Sequence, residues 1–149
     1  MSSTNRDTVK VLVKSILNRL ENQKAITFPP RLRQVIQDEV VSLVGPYILT
    51  DRDLHERTLQ KIGAKVEELA QSELTESSQY KTARSLVRKT FGDDELNGFY
   101  FQKSMKHIAE QISAYLMRSS HIDDVYETDD VLQGTVVETI KRFDPAQPH

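Results

Sequence analysis

Apolar residues recur every three or four positions along this chain, and the pattern of its first 44 residues returns near the C-terminus. Sliding the sequence by 96 positions, without a gap, lays Leu12, Ile16, Leu20, Ile26, Val35, Ile36, Val40 and Val44 onto Ile108, Ile112, Leu116, Ile122, Val131, Leu132, Val136 and Ile140. Because 38% of the chain is apolar, two unrelated amphipathic helix pairs would share many such matches. The register also continues through the connector, which favours an internal repeat of one helix–turn–helix unit, about residues 9–44 and 105–140. Such a repeat constrains architecture and carries no chemistry.

The spacing predicts an all-α bundle of about six helices in a single domain spanning 1–149, with 1–7 and 144–149 flexible. The first helix, from about Thr8 to Asn22, has Val9, Leu12, Val13, Ile16 and Leu20 on one side, and Val11 and Leu17 widen that stripe. A stripe so wide predicts burial from two directions, within the monomer or in a dimer. Pro29-Pro30 suits the first turn of a second helix over Arg31–Val44, with Leu32, Val35, Ile36, Val40 and Leu43 inward. Thr50 with Asp51 and Asp53 reads as a cap for a third helix reaching about Ser72, the longest element, with Gly63 inside it and close to a neighbour. A fourth helix carries Tyr80, Ala83, Leu86, Val87 and Phe91, and a fifth starts between Glu95 and Tyr100 and ends at Met117. Thr128 caps the sixth, with Val131, Leu132, Val136, Val137 and Ile140 inward.

Composition removes several kinds of chemistry. There is no cysteine, hence no disulfide, thiolate nucleophile, zinc ribbon or iron–sulfur cluster, and a reducing cytoplasm is the plain expectation. The polar start Met1–Asp7 is unlike a secretory leader, and no stretch approaches the roughly 20 apolar residues of a membrane span. A net charge of −2 with mixed signs gives no overall field toward nucleic acid or anionic lipid. The protein is expected to be soluble, cytoplasmic and not membrane-bound.

No catalytic, cofactor or metal site is predicted. The four histidines, His55, His107, His121 and His149, lack a second histidine at ligand spacing. His107 and Glu110 share a helix face, for which a solvated contact is the ordinary meaning. Asp123, Asp124, Glu127, Asp129 and Asp130 lack the glycine and closing glutamate of a calcium loop and read as connector and cap residues. Neither a phosphate-binding glycine loop nor a serine elbow is present. One candidate surface remains: Lys81, Arg84 and Arg88 at i, i+3 and i+7, with Lys89 beside them, form a basic ridge for phosphate or nucleic-acid contact, flanked by Tyr80, Phe99, Tyr100 and Phe101 as stacking groups. The competing reading makes the ridge the wet side of an amphipathic helix and the aromatics its core side.

The segment Met117-Arg118-Ser119-Ser120-His121-Ile122-Asp123-Asp124-Val125-Tyr126-Glu127-Thr128-Asp129-Asp130-Val131-Leu132 resembles the C-terminal part of longer bacterial members of domain-of-unknown-function family 507. The shared pattern is a small-residue pair, an apolar residue, two acids, valine and an aromatic, then Asp-x-x-Leu. Val9–Val44 and the capped stretch Thr50–Ile62 also resemble that family's N-terminal half. Members often continue with a basic run after the leucine, where this chain has Gln133-Gly134-Thr135-Val136. The resemblance implies a small bacterial cytoplasmic helical protein and supplies no catalytic residues.

The expected function is therefore a non-enzymatic protein-interaction module, binding a protein partner or a second copy of itself through an exposed face or a groove between the two similar halves. Nucleic-acid binding through the fourth helix is one alternative. An enzyme whose polar residues meet only in the fold is another.

Overall fold

The structure is a computed structural model that describes residues 3–63, 78–92, 94–96 and 99–143. Along the chain lie α1 (Ser3–Asn22), β1 (Ile26–Thr27), α2 (Arg33–Val44), β2 (Ile48–Thr50), α3 (Asp51–Ile62), α4 (Ser78–Arg88), β3 (Glu95–Leu96), β4 (Phe99–Phe101), α5 (Met105–Arg118), β5 (Asp124–Val125) and α6 (Asp129–Arg142). Short 3-10 turns at Pro30–Leu32 and Gly45–Tyr47 bracket α2. The fold is all-α in character, with a few very short strands.

α1, α2, α5 and α6 form the main bundle, in which α1 packs on α2 and α6, and α5 packs on α6 and α2. The helix ends keep the offset read from the sequence: Asn22 and Arg118 lie 96 positions apart, as do Arg33 and Asp129. Seven of the eight offset pairs are buried in both halves, from Leu12 with Ile108 to Val44 with Ile140. The eighth, Val35 with Val131, is exposed in both, at 40% and 44%. The two connectors meet as antiparallel strands, Ile26 opposite Val125 and Thr27 opposite Asp124. Backbone bonds from Asp123 N–H to the Thr27 carbonyl (2.9 Å) and from Tyr126 N–H to the Ala25 carbonyl (2.8 Å) fasten them.

The wide stripe of α1 is consumed inside the chain. Val9, Leu12, Val13, Ile16, Leu17 and Leu20 are all buried, covered by the neighbouring helices. Burying a side chain of this kind contributes about 1.5–3 kcal/mol, so this one face is a principal source of stability.

A three-stranded antiparallel sheet of order β2-β4-β3 separates the bundle from α3 and α4. Its register, Ile48 opposite Phe101 and Leu49 opposite Tyr100, sends alternate side chains to opposite faces. Ile48, Phe99 and Phe101 join the main core, while Leu49 and Tyr100 join Leu54, Val87 and Phe91 in a second, smaller one. The expected fifth helix therefore begins only at Met105. Residues 99–101 are all buried and need two covered faces, which a strand between two cores provides. Ser104 then caps α5 by accepting from the His107 N–H at 3.0 Å.

Other expectations change as well. The first helix begins at Ser3 and not near Thr8, so residues 3–7, expected to be flexible, form its first turn and more. The third helix carries the expected cap, with Thr50 and Asp53 in a reciprocal capping box, but it stops at Ile62. Gly63 stands at φ +90°, a conformation glycine adopts readily and a helix interior does not use, so it terminates the helix. Val66 and Leu69, expected further along, lie outside the described residues. α1, at 20 residues, is the longest described helix. On α2, Val41 takes the inward place expected of Val35, because the buried arc centres on Ile36, Val40 and Val44. Leu86 and Val131 likewise turn outward.

Two glycines test this packing with opposite signs. A Cβ on Gly92 would stand 2.1 Å from the Lys103 carbonyl oxygen and 2.3 Å from that of Phe101, both backbone atoms. Gly92→Ala should therefore lower unfolding free energy by about 3 kcal/mol in a urea titration. Gly134, inside α6 with nothing within 4 Å of its missing Cβ, should gain roughly 1 kcal/mol as alanine.

Candidate functional site

The predicted basic ridge lies on α4, and its two central members are already engaged. The Arg84 guanidinium is 3.8 Å from Asp51 Oδ1 and donates to the Tyr80 hydroxyl at 3.5 Å. Arg88 donates to the Gly92 carbonyl at 3.2 Å, pairs with Glu95 Oε2 at 3.4 Å and sits 4.9 Å over the Tyr100 ring. Tyr100 completes the network by donating to Asp51 Oδ1 at 2.6 Å, and burial with this bond pushes its hydroxyl up to about 12. These contacts fix α4 to α3 and to the sheet. Lys81 and Lys89 are exposed and have no ion-pair partner among the described residues. Tyr80, Phe99, Tyr100 and Phe101 are buried, so they are core residues and do not present faces for bases to stack on.

His107 and Glu110 are not brought together as a site. His107 packs edge-on against Tyr47 with ring centroids 4.8 Å apart, while Glu110 is exposed. Among the described residues no three His, Cys, Asp or Glu side chains gather as they would around a metal ion.

Two equivalent grooves form where the halves meet. One, of about 460 Å³, lies between α2 and α5 and includes Glu39, Leu43, Tyr115, Arg118 and His121. The other, of about 360 Å³, lies between α1 and α6 and includes Arg19, Asn22 and Thr139, which stand 96 positions from Tyr115, Arg118 and Leu43. Some of their polar groups bond to one another or to neighbouring side chains. Tyr115 donates to Glu39 Oε1 at 2.6 Å, and His121 Nε2 is 3.5 Å from the same oxygen. In the second groove Arg19 and Arg142 both pair with Glu138. These bonds brace the helices on either side of each groove, and Ser119 and Ser120 also line the first.

The feature that sequence reasoning missed is at the end of the bundle where the connectors pair. Five large apolar side chains are exposed among the described residues, and four of them belong to this end. Val35 is the third residue of α2 and Val131 the third of α6, Met117 is the penultimate residue of α5, and Tyr126 follows β5. Their exposures run from 40% for Val35 to 60% for Tyr126. Asp123, Asp124, Glu127, Asp129 and Asp130 surround them in sequence and are all exposed. Asp129 is anchored: the Ser113 hydroxyl on α5 donates to its carboxylate, as does Gln133 at 2.8 Å, and these bonds hold its carboxyl below the usual carboxylate range. The signal available in the sequence was the matched pair Val35 and Val131, which helical phase alone places on the border of the apolar arc.

Fold and surface together define a small all-α protein of two cores, with a paired-connector end that carries four of the five large apolar side chains exposed among the described residues. The chain belongs to the family described as Protein of unknown function (DUF507), whose family model matches residues 4–146. No curated protein and no solved structure matches the chain. No helix among the described residues is long and apolar enough to cross a membrane.

The Glu39–Tyr115 bond has a pH signature. Burial and donation to Glu39 push the Tyr115 hydroxyl up from 10.0 to about 12, so the folded chain holds this proton more tightly than the unfolded chain does. Its contribution is complete below about pH 10 and is lost as pH rises toward about 12. Denaturation midpoints should fall across that interval, and Tyr115→Phe should make the fall shallower.

Proposed function

We propose that this protein is a non-enzymatic binding module of the cytoplasm whose partner is a protein and whose contact surface is the paired-connector end. One observation carries the reading: four of the five exposed large apolar side chains, Val35, Met117, Tyr126 and Val131, occupy that end of the molecule. Exposed apolar side chains gathered into a patch are a common mark of an interaction surface, and these four lie on elements that begin or end at the paired connectors. The breadth of the α1 stripe, which on sequence alone suggests surplus apolar surface, is spent inside the bundle and gives no support. The recurrence of helix ends and burial at an offset of 96 supports an ancestral duplication, which would have produced Val35 and Val131 as one position used twice.

Nucleic-acid binding through α4 is less well supported, because Arg84 and Arg88 already have carboxylate partners and the neighbouring aromatics are buried. An enzymatic reading would draw on the first groove, where His121 lies 3.5 Å from Glu39 and Ser119 and Ser120 complete the lining, but no hydrogen bond among the described residues joins either serine hydroxyl to the His121 ring.

A photo-crosslinking residue placed at Tyr126, and separately at exposed Gln60 on α3, tests the proposal in living cells. Discrete protein adducts are expected from position 126 and not from 60, and Val35→Asp with Val131→Asp should remove them. Equal labelling from both positions, or none from 126, would refute the assignment of this end.

A further inference from the structure

Charge at the connector end says what kind of partner covers it. Between Ser119 and Ile140 the sequence holds Asp123, Asp124, Glu127, Asp129, Asp130 and Glu138, and no lysine or arginine. Glu138 is paired with Arg19 and Arg142. Among the described residues the other five have no ion-pair partner. The opposite connector does little to neutralise them. Its Arg33 is held by Glu21 and Asn18 and lies over the Phe28 ring, which leaves Lys24 and Arg31, with Arg118 from α5, against five unpaired carboxylates.

Resting on the reading of this end as an interface, we infer that its partner is a protein segment bearing lysine or arginine along one side and apolar side chains along the other. The apolar side buries Val35, Met117, Tyr126 and Val131, which supplies most of the affinity. The cations meet Asp123, Asp124, Glu127 and Asp130, which sets orientation, speeds encounter and rejects acidic competitors. Asp129 is excluded from this role because Ser113 and Gln133 both already donate to it, whereas Asp124 accepts only from the exposed Tyr126 hydroxyl, at 3.3 Å. Since the carboxylates are exposed, their attraction is screened by salt, so binding weakens as ionic strength rises.

The test uses the full chain and fluorescent synthetic helical peptides with leucine on one face and lysine, glutamine or glutamate on the other, followed by anisotropy at low and high salt. The lysine peptide should bind about tenfold or more tightly than the glutamine peptide and lose that advantage at high salt, while the glutamate peptide binds more weakly than either. A variant combining Asp123→Asn, Asp124→Asn, Glu127→Gln and Asp130→Asn should lose most of the advantage while keeping its helical circular dichroism. Equal binding of all three peptides, or an unchanged lysine preference in that variant, overturns the inference. Light scattering that shows a dimer abolished by Val35→Asp with Val131→Asp also overturns it, since a second copy then covers the end. If lysine and glutamine peptides bind alike and both need Val35 and Val131, the charge inference fails and the interface stands. If the two valine substitutions leave lysine-peptide binding untouched, the interface itself fails.

Discussion

The bundle hangs on the apolar side of α1, which needs cover from two directions at once. Leu12, Ile16, Leu17 and Leu20 span more of the helix circumference than one neighbour can shield, so α2 and α6 must both reach it. α2 belongs to the first helix pair and α6 to the second, so neither pair can complete its core alone. The same two pairs also meet through the antiparallel pairing of β1 with β5, and the two grooves lie between them.

Much of this was legible in the sequence because helical burial has a period that residues announce. Helix ends at Asn22, Val44 and Arg118 fall within a residue of their expected places, and the caps at Thr50 and Thr128 are formed. The strands were not legible as such. Phe99-Tyr100-Phe101 is a short, fully apolar run, and without knowledge of the second core it extends a helical pattern as readily as it makes a strand. The sequence cue was Asn97-Gly98, a dipeptide favoured between hairpin strands; these two residues lie outside the described ones, while β3 and β4 on either side pair antiparallel. Gly63 was misread for a similar reason, since glycine inside an apolar period and glycine closing a helix look alike until φ is known.

The surface was harder to read than the core. Charge periodicity marks Lys81, Arg84 and Arg88 as a ridge, but it cannot show that Asp51 and Glu95, from α3 and the sheet, arrive to meet the two arginines. Conversely, the apolar end joins Val35 of α2 to Met117, Tyr126 and Val131 of the single run Met117–Val131, and none of the four stands out within its own segment. Tertiary convergence hides charges that look available and exposes apolar groups that look internal.

β4 is a wall shared by two rooms. Phe99 and Phe101 belong to the bundle and Tyr100, between them on the same backbone, belongs to the smaller core under α3 and α4. Neither room can be rearranged without shifting the peptide units that furnish the other, so a change of packing under α3 and α4 is carried by this one strand to the wall of the bundle.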